Sequence, residues 1–380
     1  MRLGGEMKNS GHNDHLIAAY SKHPARDVYA ESRNFAAEGW HSEGGIVADG
    51  RLAALLGLNS DGVVEEVLRN SLLNPVSELT ANVGKRVRAQ LVSMAYRLVH
   101  GEATGSLLAA KQCRTCADVV ELIHAGSLIV DDIEDGSQLR RGRPALHVQH
   151  GMPIALNAGN WLYFWPFELL RQSALPKDQL LLIYERYHQT LLRAHFGQAI
   201  DLGAQVHYMP QHAISEICLA GMKLKSGALM GFAAALGGTI AGASEKNIDV
   251  LDEFGVDLGV ALQMFDDLGN VIGKGDPLKR YEDLLLSRPS WVWACAAQES
   301  DPYAYEAFLA AVARLPEATL LENWFHSHDL IEATRLSARK HLDLAFARLE
   351  RRLAAHEVAW SARAFNELRQ LGEEIAVAYG

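Results

Sequence analysis

Apolar residues recur three and four positions apart through most of the chain beyond Gly62. Val63, Val64, Val67, Leu68 and Leu72 make one such series, and Val87, Leu91, Val92, Met94, Ala95 and Leu98 make another. That period marks helices with one face turned to a core. Proline removes a backbone donor and breaks a helix interior. It is absent between Pro75 and Pro144 and again between Pro210 and Pro277. Both spans are dense in Ala and Leu and leave room for several long helices each. At the carboxyl end, Arg335, Arg339, Asp343 and Arg348 alternate with Leu336, Leu342 and Leu349 in helical fashion. Alternating β-branched runs joined by Asn-Gly or Asp-Gly turns are not found. The first fifty or so residues follow no sustained period and leave room only for a short helix around Asp14 to Tyr20. The pattern predicts an all-α fold, with a polar extension over residues 1–60 and one helical domain over 61–380.

Composition narrows the partners. Lys and Arg number 36 against 46 Asp and Glu, a net charge of −10. Such a surface argues against nucleic acid or anionic lipid as a main partner. With 49% hydrophobic and 22% charged residues, the chain is an ordinary globular protein. Four cysteines exclude a disulfide scaffold and suit a reducing cytoplasm. The amino end is polar and lacks the apolar core of an export signal. Ser226–Ser244 carries no charge over 19 residues, yet five glycines and six alanines make it weakly hydrophobic. Lys225 and Glu245 close it on both sides, so it reads as a buried core helix and no membrane span is expected.

The densest chemistry is Asp131-Asp132-Ile133-Glu134-Asp135, which follows the apolar run Leu128-Ile129-Val130. On a helix, Asp131 and Asp135 share a face, with Asp132 about 100° round. A second pair, Asp266-Asp267, follows Leu262-Gln263-Met264-Phe265, and Asn270 completes a DDxxN string. Two such acidic ends facing one another across a bundle would make an all-oxygen cage, which selects Mg²⁺ or Mn²⁺ and leaves part of the ion's shell to substrate phosphates. The Cys113-Arg114-Thr115-Cys116 string has no partner motif and reads as two structural helix cysteines. Cations accompany the acids. Lys85 and Arg88 stand three apart beside Gly84, and Arg140 and Arg141 follow the first acidic string. In an acidic chain, clusters placed there point to a diphosphate, which arginine binds in a bidentate manner.

The segment LIHAGSLIVDDIEDGSQLRRGRPALHVQHGMPIALNAGNWLYF resembles the first aspartate-rich region of the trans-isoprenyl diphosphate synthases, most of all the geranylgeranyl branch of animals and fungi. Five elements occur in the family's order: GKRxR (Gly84 to Arg88), DDIED with its arginines, GQAIDL (Gly197 to Leu202), Lys225-Ser226-Gly227, and LQMFDDLGN. The likeness runs from about Asn74 to Ser290. It implies antiparallel helices around a central prenyl-binding cavity, a homodimer, and coupling of isopentenyl diphosphate to an allylic diphosphate. It further implies that Asp131, Asp132 and Asp135 hold Mg²⁺ with Asp266 opposite, and that Arg140, Lys225, Ser226 and Gln263 serve the allylic diphosphate. Lys85, Arg88, His124 and Arg141 would hold the other diphosphate. Two departures stand out. The second motif ends in Asn270 instead of a third aspartate, as in the animal and fungal branch. Around Glu282 to Pro289, where the family usually carries a lysine, Arg288 is the nearest cation.

Residues just before the first motif bound the growing chain in such a site. Gly126 and Ser127, with Ile123 one turn deeper, are small enough to predict a product longer than fifteen carbons, with twenty favoured. Trp161, Tyr163, Phe164, Trp165 and Phe167 form an aromatic cluster that either closes the cavity or packs a core. Two other readings share the scaffold, a terpene cyclase ionising a preformed diphosphate and a catalytically weak partner subunit. Retention of Lys85, Arg88, His124 and Arg141 favours chain elongation over cyclisation.

Overall fold

A computed structural model describes residues 62–81, 84–101, 106–274, 279–355 and 360–379. The extension expected over 1–60, with its short helix at Asp14 to Tyr20, lies outside the described residues. The chain divides after Gly84 into two compact units. In the first, α1 (Gly62–Leu68) runs through a wide π turn at Arg69–Leu73 into α2 (Asn74–Ala81). Arg69 pairs with Glu65 one turn back at 2.8 Å. The helical period of Val63, Val64 and Val67 is realised, but their side chains are exposed instead of facing a core.

The second unit is helical almost throughout. In order it contains α3 (Val87–His100), α4 (Leu107–Glu134), α5 (Leu146–His150), α6 (Met152–Leu162), α7 (Trp165–Arg171), α8 (Lys177–Gly203), α9 (Gln211–Met222) and α10 (Ala228–Ile240). These are followed by α11 (Glu245–Ile272), α12 (Glu282–Leu285), α13 (Trp291–Glu299), α14 (Pro302–Val312), α15 (Thr319–Ser327), α16 (Leu330–Ala355) and α17 (Ala362–Tyr379). Caps agree with the boundaries. The Ser106 hydroxyl accepts from the Ala109 N–H at the start of α4, and the Asp301 carboxylate accepts from Tyr303 and Ala304 at the start of α14.

The uncharged stretch after Lys225 becomes α10, and every one of its residues is buried. It packs chiefly on α11 and α3 and also touches α8 and α4. With α9 it forms an apolar helix of 30 residues, Gln211–Ile240, long enough to cross a membrane by length and composition. Here most of its apolar stretch is buried within the protein. Glycines set its spacing. A Cβ on Gly237 would collide with the Val92 carbonyl oxygen of α3, and one on Gly255 of α11 would meet the Met230 carbonyl. Close backbone approach, then large apolar residues such as Phe232, Phe265 and Leu258, builds the core.

The aromatic cluster divides. Trp161 stacks on Trp165, and Phe167 packs on Tyr184 and Tyr187. Phe164 is exposed. Gly126 lies buried where α4 crosses α6. A Cβ there would stand 2.9 Å from the Gly159 carbonyl and from the Leu162 side chain, so its small size serves helix contact. Ile123 is buried in the core, and the Ser127 hydroxyl donates to the His124 carbonyl at 2.8 Å.

These contacts set an expectation for stability. Gly237→Ala should cost about 1–3 kcal/mol by forcing α10 from α3. Gly203→Ala, with nothing within 4 Å of the added carbon, should stay within about 0.5 kcal/mol. Urea unfolding of the two variants beside the parent protein measures both.

Candidate active site

Helix α4 ends at Glu134, and the Asp135 N–H still donates to the Asp131 carbonyl at 2.9 Å. Asp131 and Asp135 therefore share a face as the spacing predicts. The Asp131 carboxylate accepts from Lys225 Nζ and from Gln198 Nε2, each at 3.0 Å. Lys225 also donates to Asp201 Oδ2 at 2.7 Å, so its ammonium lies between two carboxylates. Asp135 accepts from Arg288 Nη2 at 2.8 Å, while Arg288 Nη1 donates to the Asp201 carbonyl at 2.7 Å. Asp132 turns the other way and is buried. Arg140 clamps it, with Nε at 3.0 Å from each oxygen and Nη2 at 2.5 Å from Oδ1.

Local backbone explains why the cations arrive there. The chain after Asp135 forms a two-stranded antiparallel hairpin, Leu139–Arg140 with Arg143–Pro144, in which Leu139 faces Pro144 and Arg140 faces Arg143. Its turn residues, Arg141 and Gly142, both have positive φ, at 53° and 74°. That is the geometry a two-residue hairpin requires. The two arginines thus sit on a hairpin, which helix-period reading did not anticipate. Lys225 and Ser226 lie in a π turn, Lys223–Gly227, between α9 and α10. A wide turn of this kind re-aims side chains and is frequent at functional sites. Gly197 of α8 lies so close to the Lys225 backbone that any side chain on it would collide. Its absence lets α8 bring Gln198 and Asp201 into reach. The three-residue spacing of Lys85 and Arg88 suits one helix face, but Lys85 precedes α3, which begins at Val87.

The second motif lies in the last two turns of α11. Asp266 is exposed, and Asp267 is buried. Asp267 accepts from Gln263 Nε2 at 2.8 Å and from the Trp291 N–H at 2.6 Å, fastening the start of α13. The Ser226 hydroxyl donates to Gln263 Oε1 at 2.6 Å, which links the π turn to this motif. Asn270 donates from Nδ2 to the Lys279 carbonyl at 2.7 Å. Lys279 Nζ in turn reaches the Ser137 hydroxyl at 2.9 Å, just beyond the first motif.

Charge ties the two motifs together. Burial and the repulsion of Asp131 push the Asp135 carboxyl up to about 6, against the pull of Arg288 and Lys225. Burial also acts on Asp131, but Lys225, Gln198 and Arg140 outweigh it and hold that carboxyl below its usual range. Lys225, although largely enclosed, is held above its usual range by Asp131 and Asp201. Asp266 reaches solvent but is recessed among protein atoms, which raises its carboxyl while Lys85, Arg140 and Arg88 pull it down. Arg140 therefore acts on both motifs. Asp267 is raised well above the carboxylate range by burial and by Asp283. The His124 imidazole is driven well below 6.5, first by burial and then by Arg88, Arg141 and Arg140.

Gln198, Asp201 and Asp283 are the contributors that the sequence reading did not single out. Gln198 and Asp201 lie within the GQAIDL element, and their spacing of three places both on the Lys225 side of α8. Among the described residues, no group of three or more His, Cys, Asp or Glu side chains gathers as a metal site. Lys225, Arg140 and Arg288 stand among the first motif's carboxylates.

Two expectations follow from this geometry. The His124 ring should remain neutral at pH ~6, where an unperturbed imidazole is mostly charged; its nitrogen NMR shifts report the state. Because its native pKa is depressed, its contribution to stability is complete above the unfolded value of 6.5 and is lost progressively as pH falls from there through the lower native value. Asn270→Asp would set an acceptor against the Lys279 carbonyl in place of a donor. The expected loss is about 1–3 kcal/mol of stability, read from denaturant unfolding above pH 7.

Comparison with known proteins places this arrangement in a family. The family model for polyprenyl synthetase matches residues 69–321, more than half of the chain. The chain is 29% identical over 189 residues to the geranylgeranyl diphosphate synthase of Sulfolobus acidocaldarius, covering 49% of this chain and 54% of that protein. That match spans about half the relative's length. It is 34% identical over 233 residues to the farnesyl diphosphate synthase of Escherichia coli, covering 59% of this chain and 71% of that protein. Among solved structures, the geranylgeranyl pyrophosphate synthase of Corynebacterium glutamicum, complexed with isoprenyl diphosphate and magnesium, superposes with a TM-score of 0.69. At 21% identity over 86% of this chain and 94% of that one, it establishes a shared fold. With an all-helical bundle of the same fold and a family match over residues 69–321, the chain belongs to the polyprenyl synthetase family, the trans-isoprenyl diphosphate synthases.

Proposed function

We propose that the protein is a prenyl chain-elongating transferase. It joins isopentenyl diphosphate to an allylic diphosphate and releases pyrophosphate, with farnesyl diphosphate as primer and geranylgeranyl diphosphate as product. The observation behind this reading is the convergence of two carboxylate motifs and the cations Lys225, Arg140, Arg288, Lys85 and Arg88 in one electrostatic neighbourhood. A polyanionic substrate has use for cations held beside metal-binding acids. The product length follows the relatives named as geranylgeranyl diphosphate synthases.

The donor set suits Mg²⁺, a hard cation that takes carboxylate oxygens. Asp135 Oδ2 and the Asp266 carboxylate have no hydrogen-bond partner among the described residues, and Asp131 is paired to side chains that can be exchanged for an ion. Asp131, Asp135 and Asp266 are therefore the proposed ligands. Asp132, Asp267 and Asn270 are engaged by Arg140, Trp291 and Lys279, and orient the site. When bound, the metal supplies positive charge against the departing diphosphate.

The residues of the chain do the rest. Lys225 and Arg140 neutralise charge on the allylic diphosphate as its C–O bond breaks and the electron pair leaves with pyrophosphate. Lys85, Arg88 and Arg141 hold isopentenyl diphosphate so that its double bond attacks the allylic carbon. A neutral His124 contributes a hydrogen-bond donor there without adding charge. The proton lost after the new C–C bond forms goes to pyrophosphate.

Purified protein given Mg²⁺, farnesyl diphosphate and labelled isopentenyl diphosphate should yield a linear twenty-carbon diphosphate. Hydrocarbon formed from an allylic diphosphate alone, or no turnover, would sink the proposal. Asp131→Ala should lower kcat at least ~100-fold, the scale of losing a main electrostatic stabiliser.

A further inference from the structure

Lys85 lies on irregular backbone just before α3, and Arg88 is the second residue of that helix. Arg86, between them, adopts φ 50° and ψ 38°. For a residue with a Cβ this left-handed conformation is strained and persists only where its surroundings enforce it. Arg86 also occupies the N-cap of α3, where its side chain offers no acceptor to the first turn.

Three contacts supply what the segment lacks. Gln90 Nε2 donates to the Lys85 carbonyl at 2.8 Å. Arg86 Nη2 donates to Asp118 Oδ1 at 3.1 Å. The Ala89 N–H, third in the helix, donates to Glu121 Oε1 at 3.1 Å. Glu121 thus provides from α4 the cap that a Ser or Asp at position 86 would otherwise give, and its charge suits the positive end of α3. Asp118, Glu121 and His124 are spaced three apart and form one stripe of α4. A single helix therefore sets His124 directly and the Lys85–Ala89 segment through two acids.

Two carboxylates beside an anion site oppose binding by charge alone. Their presence there makes sense if they act through geometry. We infer that Asp118 and Glu121 are positioning residues for the isopentenyl diphosphate site, bracing the Lys85–Ala89 segment so that Lys85 and Arg88 stand in register with His124. The inference rests on the assignment of Lys85 and Arg88 proposed above.

Steady-state kinetics of the full chain, with each substrate varied in turn, tests it. Asp118→Ala and Glu121→Ala should each raise KM for isopentenyl diphosphate about tenfold, the scale of a lost charge-assisted hydrogen bond. They should leave kcat and the allylic KM within about twofold. Asp118→Asn and Glu121→Gln keep an acceptor oxygen and should recover most of the loss. Glu121→Asp, one methylene short, serves where an alanine variant does not fold. An unchanged or lowered KM for isopentenyl diphosphate in the alanine variants overturns the inference, because charge alone would then describe these acids. So does a parallel rise in both KM values with a lower melting temperature, the mark of a purely structural contact. Arg88→Ala is run alongside. If it leaves the isopentenyl KM unchanged, the site assignment fails; if it raises that KM while the acid variants do not, the brace alone fails.

Discussion

An ammonium lodged between two carboxylates, Lys225 between Asp131 and Asp201, is the contact on which the rest of the site depends. Asp131 and Asp201 lie close enough to Asp135 to raise its proton affinity, and without a cation among them the ends of α4 and α8 would repel. Several features of the fold serve to deliver that cation. The π turn aims it, the missing side chain at Gly197 lets α8 approach it, and Gln198 donates to the same Asp131 oxygen that Lys225 holds. Arg288 extends the same logic by tying the segment before α13 to Asp135 and to the α8 backbone.

Each aspartate pair divides its labour. Adjacent helical residues point about 100° apart, so the two carboxylates of a pair cannot do the same thing. Asp132 and Asp267 are buried and fastened, one to the hairpin and one to the start of α13. Asp131 and Asp135 pair with flexible cations, and Asp266 reaches solvent. The inward member fixes the frame, and the outward member is the one proposed to meet the substrate and its metal.

Much of this was legible in the sequence because it depends on local spacing. The three- and four-residue period announced the helices, and the spacing of four placed Asp131 and Asp135 on one face. Contacts set by the path of the chain were not legible. Arg140 and Arg141 lie on a hairpin made by a positive-φ Arg-Gly turn that no β-branched run advertises. Gly126, read from the sequence as space for a product, also lets α4 close on Gly159, a contact that spacing along one helix does not show. Arg288 read as a break in a pattern, but its two-pronged guanidinium spans Asp135 and the Asp201 carbonyl at once, which a point-charge lysine cannot do. Val63, Val64 and Val67 show the opposite failure, a correct helix whose apolar stripe stays exposed.

By length and composition alone the helix Gln211–Ile240 resembles a helix that crosses a bilayer. Lys225 lies at its midpoint, where a lysine adds about 2.5–3.5 kcal/mol to the cost of insertion. The residue that gathers the acids of the finished site thus also makes its own segment a poor bilayer span.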